Sequence, residues 1–152
     1  MSQLKQYVGL DVSLKETSIS VVDEADRTIW RGRSQSTPDD IAEKLSARAP
    51  HAVRIGLECG QLSNWLYVGL KAKGLPVICI DARHASAALS LKVNKTDTND
   101  ALGLAQLMRV GWYRETVVKG IDCRYLRSLL VVRQRLVSQI TAIKNCVRGV
   151  IN

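Results

Sequence analysis

The chain of 152 residues has room for one ordinary domain and a modest appendage. Hydrophobic residues at 46% can build a core, and charged residues at 24% suit a folded soluble domain rather than a disordered one. Lysines and arginines (22) outnumber aspartates and glutamates (14), and the net charge of +8 favours a polyanionic partner, nucleic acid ahead of an acidic membrane surface.

Four cysteines, Cys59, Cys79, Cys123 and Cys146, form no C-x-x-C pair, and the only histidines are His51 and His84. That set argues against a zinc centre of ordinary spacing and for free thiols in a reducing compartment. The opening "MSQLKQYVGLDVS" is interrupted by polar and charged residues, so it has no signal core. No apolar run approaches membrane-spanning length, and the expectation is a cytoplasmic protein without a membrane partner.

Along the chain, Tyr7 to Leu10 is an apolar strand closed by Asp11, and "TSISVV" at Thr17 to Val22 alternates with the period of a half-buried strand. The acidic run Asp23 to Asp26 reads as a turn before a third strand, "RTIWRGR". Two successive hairpins explain that order. Thr37, Pro38 and Asp40 mark a helix start, with Thr37 as N-cap and Asp40 in an approximate capping box. A fourth strand from Ala52 to Leu57 ends at Glu58, and a helix from Ser63 to Lys73 stops at Gly74. "PVICI" at Pro76 to Ile80 reads as a buried strand. Three meander strands followed by α, β, α, β predict an α/β domain with a mixed sheet.

Residues 83–95 read as helix or loop carrying Arg83, His84, Lys92 and Lys95, and a further helix spans Asp97 to Arg109 until "GWYR" breaks it. The tail has the clearest period. Leu126, Leu129, Arg133, Leu136, Ile140, Ile143, Val147 and Val150 follow steps of three and four, a heptad seam with one polar interruption. No acidic residue follows Asp122, whereas Arg124, Arg127, Arg133, Arg135, Lys144 and Arg148 share this helix. The predicted division is a domain at 1–115 and a coiled-coil helix at 116–152, which looks cut short at Asn152.

Asp11 and Glu58 close strands, and the carboxyl ends of strands in an α/β sheet face the ligand crevice. In "KTDTND", Asp97 and Asp100 lie three apart on one helical face. Four such carboxylates suit a hard cation, Mg2+ or Mn2+, in phosphodiester chemistry. Each also has a plainer role: strand-end aspartates belong to turns, and Asp97 and Asp100 favour a helix start as cap and dipole partners. Arg83, Lys92 and Lys95 are either phosphate contacts or a solvated basic loop. Trp112 and Tyr113 either stack on bases or join the core.

Four motifs occur together: "YVGLDVS" at Tyr7 to Ser13, "LECG" at Leu57 to Gly60, "KTDTNDA" at Lys95 to Ala101 and "GWYR" at Gly111 to Arg114. In that order they resemble the N-terminal part of DEDD-type insertion-sequence transposases, across essentially the whole chain. The resemblance implies a ribonuclease H-like, RuvC-like mixed sheet with flanking helices and a long C-terminal coiled-coil helix. It matches Asp11, Glu58, Asp97 and Asp100 to the DEDD carboxylates, catalytic and metal-binding. Leu102 departs from the pattern, since an arginine is common there. Family members continue into a second domain that supplies a serine nucleophile, and many use a structured guide RNA. The expectation is therefore a metal-dependent DNA transposase or recombinase domain, incomplete by itself. Its partners would be DNA, a guide RNA, and a second copy joined as a homodimer or higher oligomer through the C-terminal helix. Arg83, Lys92, Lys95, Arg124, Arg127 and Arg135 would contact nucleic acid. The rivals are a self-sufficient junction nuclease using water and a non-catalytic nucleic-acid-binding dimerisation module. An actin-like phosphotransferase is a weaker alternative, since its Gly-rich nucleotide loops are not found.

Overall fold

A computed structural model describes residues 4–89, 97–118 and 120–151. They form two compact units, Met1–Val118 and Lys119–Asn152. In the first unit, the strands β1 (Gln6–Val12), β2 (Glu16–Asp23) and β3 (Thr28–Gln35) make an antiparallel meander. Helix α1 (Pro38–Arg48) leads to β4 (Ala52–Glu58), and α2 (Ser63–Ala72) leads to β5 (Val77–Ile80). Both β4 and β5 enter the sheet in parallel, giving the order β3-β2-β1-β4-β5. Helices α3 (Ala82–Leu89) and α4 (Asp97–Val110) follow, and α5 (Ile121–Ile151) makes up the second unit.

The elements start and stop for local reasons. The Thr37 hydroxyl accepts from the Asp40 backbone N–H at 3.2 Å, capping α1, with Pro38 at the first helical position. The second half of the predicted capping box differs, because the Asp40 carboxylate accepts a hydrogen bond from the Thr37 hydroxyl instead of reaching back to the backbone. Gly74 ends the α2 segment at φ 77°, a left-handed conformation that a Cβ would strain. The β2–β3 turn carries Asp26 at φ 68°, one of the few side chains that tolerate that region. Asp23 braces the same turn. One of its carboxylate oxygens accepts from the Ala25 and Arg27 backbone N–H groups at 2.9 and 2.8 Å, and the other from Arg27 Nε at 2.8 Å.

Strand side chains alternate between two cores. Val8 and Leu10, Ile19 and Val21, Ile55 and Leu57, and Val77 and Cys79 meet Ile41 and Leu45 of α1 and Leu66 and Leu70 of α2. The opposite face holds Tyr7, Val22 and Ile80 against Leu104, Ala105, Leu107 and Met108 of α4. Nearly all of these side chains are fully buried, each aliphatic one contributing on the order of 1.5–3 kcal/mol.

The contact between α4 and the sheet depends on two glycines. A Cβ on Gly9 would lie 2.0 Å from the Ala101 carbonyl oxygen and 2.4 Å from the Ala105 nitrogen. One on Gly56, its register partner in β4, would lie 2.8 Å from Met108. Their missing side chains let α4 lie directly on the sheet. The far end of α4 is fixed by Arg54, which donates to the Met108 carbonyl at 2.9 Å, and by Gln106 and Arg109, which both hold Asp26.

In the second unit, α5 carries the heptad residues with at least half of each apolar residue exposed, Val147 and Leu129 being the most covered. No described helix is long and apolar enough to cross a membrane.

Candidate active site

Asp11 lies within β1, one residue before its end, and Glu58 is the last residue of β4. The strands pair in parallel up to Leu10 and Leu57, so the two acidic residues occupy the next register position, with strand axes about 4.8 Å apart. Asp11 is two residues beyond Gly9, and Glu58 two beyond Gly56. Side chains two apart share a face, so both project on the face that α4 covers, at the carboxyl edge of the sheet. They line one open cleft of about 700 Å3 with Ser13, Leu14, Lys15 and the segment Cys59 to Ser63.

Helix α4 delivers its first turn to the same region. Ala101 sits over Gly9, and half-buried Asp100 immediately precedes it. Gly9 and Asp11 are about 7 Å apart along the strand, so the first turn of α4 overlooks the strand ends that carry Asp11 and Glu58. Asp97 opens the helix, but its side chain lies outside the described residues. Among the described residues, no three His, Cys, Asp or Glu side chains are grouped closely enough to hold a metal ion. The fold thus gathers Asp11 and Glu58 into one cleft and brings Asp100 to its side of the sheet, without closing a three-ligand cluster.

The basic residues divide differently. Arg83 is exposed on α3. Arg127 and Arg135 are exposed on α5 in the second unit. Lys92, Lys95 and the Arg124 side chain lie outside the described residues. The aromatic pair splits between its two readings: Tyr113 packs on the α4 core, whereas Trp112 is 60% exposed and meets His84 edge-on at 5.5 Å.

Two residues near the cleft escaped the sequence reading. Lys15, at the β1–β2 turn, lines it beside the two carboxylates; only the hairpin geometry brings it there. Asp81 follows β5 on the same sheet edge, but its carboxylate accepts from the Arg83 and His84 backbone N–H groups at 2.9 and 3.1 Å. Those backbone bonds, His84 first, hold its pKa below the ordinary carboxylate value. It caps α3 and is not turned over to the cleft. Cys59 lines the cleft while packing on the core. Cys79 is fully buried beneath it, and burial pushes its thiol up to about 12. All four cysteines are free thiols.

A meander joined to two parallel strands in the order β3-β2-β1-β4-β5, with acidic residues at the carboxyl ends of adjacent β1 and β4, defines a ribonuclease H-like domain. RuvC of Thermus thermophilus has the same fold: it aligns with 73% of this chain and 99% of its own at a TM-score of 0.50 and 14% identity. RuvC from the same organism with a Holliday junction substrate covers 75% of this chain and all of its own, at a TM-score of 0.46 and 15% identity. At the level of sequence, the family model for IS110-type DEDD transposases, described as "Transposase", matches residues 8–152. The chain belongs to that family. The transposase for insertion sequence element IS1111A of Coxiella burnetii is 26% identical over 150 residues, 96% of this chain. The chain spans 38% of that relative's length.

Proposed function

We propose that this chain is the N-terminal catalytic part of a DNA transposase, with residues 1–115 as the RuvC-like domain and 116–152 as a coiled-coil helix. Asp11, Glu58, Asp97 and Asp100 are the acidic set that holds Mg2+ or Mn2+ at a DNA phosphodiester. The observation that carries the reading is the shared cleft: two carboxylates from separate strands meet at the sheet edge that the first turn of α4 overlooks. All donors in that set are carboxylate oxygens, the chemistry that hard divalent cations require.

When bound, such a cation supplies Lewis acidity at the scissile phosphate and stabilises the leaving oxygen. The protein's own part is to concentrate negative charge at one edge and keep it rigid. Asp11 and Glu58 are fixed by the strand register, and Asp97 and Asp100 by a helix seated on Gly9 and Gly56. Lys15 offsets part of that charge and can meet a phosphate oxygen entering the cleft. The open shape of the cleft suits a polymeric substrate better than a small molecule. The serine nucleophile and the completion of strand exchange are assigned to the remainder of a longer protein. A structured guide RNA and a cytoplasmic setting belong to the same reading.

The α5 seam pairs with a second copy, since a helix exposing Leu136, Ile140 and Ile143 alike has no apolar partner among the described residues. Arg124, Arg127 and Arg135 then hold nucleic-acid backbone along the polar face, with Arg83, Lys92 and Lys95 doing so near the cleft.

Thermal unfolding with and without Mn2+ tests the site. Wild type should rise in melting temperature, because binding to the folded state alone adds about 2.7 kcal/mol at a hundredfold excess over Kd. Asp11→Asn should abolish the rise. Asp97→Asn should abolish it too, although asparagine serves a helix N-terminus about as well as aspartate. No response in wild type, with or without duplex DNA, would sink the metal-dependent reading.

A further inference from the structure

The sheet face that carries Asp11 and Glu58 continues past α4 onto β3, and there it is uncovered. Paired residues of neighbouring strands share a face. Arg33 pairs with Ser18, which pairs with Asp11, and Arg31 pairs with Ser20, which pairs with Gly9. The two arginines therefore stand in the same rows as the candidate site, two strands away, or about 10 Å. Ile29, Arg31, Arg33 and Gln35 are all exposed along this side of β3. On its other side, Trp30 packs under α1 with Arg48 over its ring at 5.7 Å, and Ser34 is buried.

The charges on this rim are unequal. Arg33 Nη1 lies 3.4 Å from Glu16 Oε2, an ion pair with more than half of each side chain exposed. Such a pair is weak and easily exchanged for another anion. Arg31 has a 3.5 Å contact to the Thr28 hydroxyl and no ion pair among the described residues. Lys15, at the turn joining β1 to β2, lines both the Asp11–Glu58 cleft and a second groove of about 500 Å3 that runs to Gln35, Ser36 and Thr37 at the end of β3. The turn is held in place: Ser13 Oγ donates to the Glu16 carbonyl at 2.6 Å, Ser36 Oγ to the Ser13 carbonyl at 2.7 Å, and the Ser36 N–H to the Lys15 carbonyl at 3.0 Å. Three cations against one carboxylate thus form a fixed strip that leads into the cleft.

We infer that Lys15, Arg31 and Arg33 are a phosphate track that holds the DNA strand entering the Asp11–Glu58 cleft. The inference rests on the proposed DNA chemistry of that cleft. Arg31 and Arg33 are about 7 Å apart along β3, a spacing that suits adjacent phosphates of one DNA strand. Arginine's planar fork suits bidentate contact with phosphate oxygens. Lys15, nearer the carboxylates, meets the strand where it turns into the cleft. These contacts fix register and orientation without reading sequence.

The competing account is that charges on β3 only protect an open sheet edge from pairing with another chain. Fluorescence anisotropy of the full 152-residue chain with a labelled duplex, across 50 to 300 mM KCl (a range set by the assay), separates the two; values there are on the order of those that resolve counterion release. Each lost phosphate contact lowers the slope of log K against log salt by about 0.9. The triple variant Lys15→Gln, Arg31→Gln, Arg33→Gln should lose about 2–3 from that slope with unchanged circular dichroism, and Glu16→Gln should bind more tightly than wild type. A triple variant whose slope equals wild type overturns the track and leaves the cleft chemistry standing. Edge protection alone would give that slope together with a higher aggregation state. If wild type binds no duplex at all, the track and the DNA reading beneath it both fall.

Discussion

Gly9→Ala should destabilise the domain severely, because α4 lies directly on that residue. The new Cβ would sit 2.0 Å from the Ala101 carbonyl oxygen, 2.4 Å from the Ala105 nitrogen and 2.9 Å from Leu104 Cβ. Ordinary contact requires about 3.5 Å, so α4 must retreat by more than about 1 Å. Two of the three obstacles are helix backbone, which cannot move aside by changing a rotamer. Retreat uncovers the core formed by Leu104, Ala105, Leu107 and Met108 with Tyr7, Val22 and Ile80. Overpacking costs about 1–3 kcal/mol where side chains can yield, so a loss of about 3 kcal/mol or more is expected here. With a urea dependence of about 1–3 kcal/mol per molar, the unfolding midpoint should fall by about 1–3 M. Gly60→Ala is the control, because nothing among the described residues lies within 4 Å of its Cβ position and its φ is not positive. It should stay within about 0.5 kcal/mol of wild type. Gly74→Ala meets no atom of the described residues either but carries φ +77°, so it should lose about 1–2 kcal/mol through left-handed strain alone. If Gly9→Ala unfolds at the wild-type midpoint, α4 is not seated on β1, and Asp100 is not carried to the side of Asp11.

Thr37→Ala removes the α1 cap and should cost about 1 kcal/mol, read as a lower urea midpoint, with Thr37→Ser nearly neutral. Asp23 has its pKa lowered, first by the hydrogen bond from the Arg27 backbone N–H, against the opposing effect of its burial. Its stabilising contribution is therefore complete above the unfolded carboxylate value of about 3.9 and is lost as the pH falls through the lower folded value. Melting temperatures of Asp23→Asn should fall less steeply than wild type below about pH 4, and parallel curves would refute this. Thiol titration at pH 8 (chosen for the reagent; roughly the free-thiol range) should modify Cys123 and Cys146 quickly, both being exposed. Cys79 should react only on unfolding, because burial has raised its thiol to about 12. Ile140→Asp should reduce the sedimentation coefficient to that of a single chain if the α5 seam joins two copies.

The strand order was legible because the periods change where the fold changes. Alternation in "TSISVV", the acidic turn at Asp23 to Asp26, and the punctuation at Pro38 and Gly74 each have a local cause, and all reappear as expected. The apolar run predicts a strand closed by Asp11, whereas β1 runs through it to Val12. The reason is tertiary: pairing with Thr17 and Ser18 of β2 extends the ladder beyond the apolar run. The sequence around Arg83 allows helix or loop, and it forms α3 because Asp81 supplies the cap. A capping aspartate directly after a strand gives the same sequence signal as one poised for catalysis. Hydrogen-bond partners separate Asp81 from that role, and a sequence does not list them.

The acidic set shows the same limit from the other side. Spacing alone put Asp97 and Asp100 on one helical face, but a helix end attracts aspartates whether or not it serves a site. What ties that face to the strand ends is glycine at 9 and again at 56, each two residues before a candidate carboxylate and each beneath α4. Neither glycine looks informative in isolation; a glycine within a strand costs stability and packs nothing. The cost is explained by the helix that lies on it. Close approach of α4 at Gly9 brings the helix N-terminus over the carboxyl end of β1, and that end is where Asp11 and Glu58 emerge in register. Asp11 and Glu58 share a cleft and Asp100 comes to the same side of the sheet because the packing that fills the core also sets where their elements lie. A substitution that pushes α4 off Gly9 should therefore weaken the fold and the Mn2+ response together, whereas Asp11→Asn should remove the Mn2+ response from a domain that still folds.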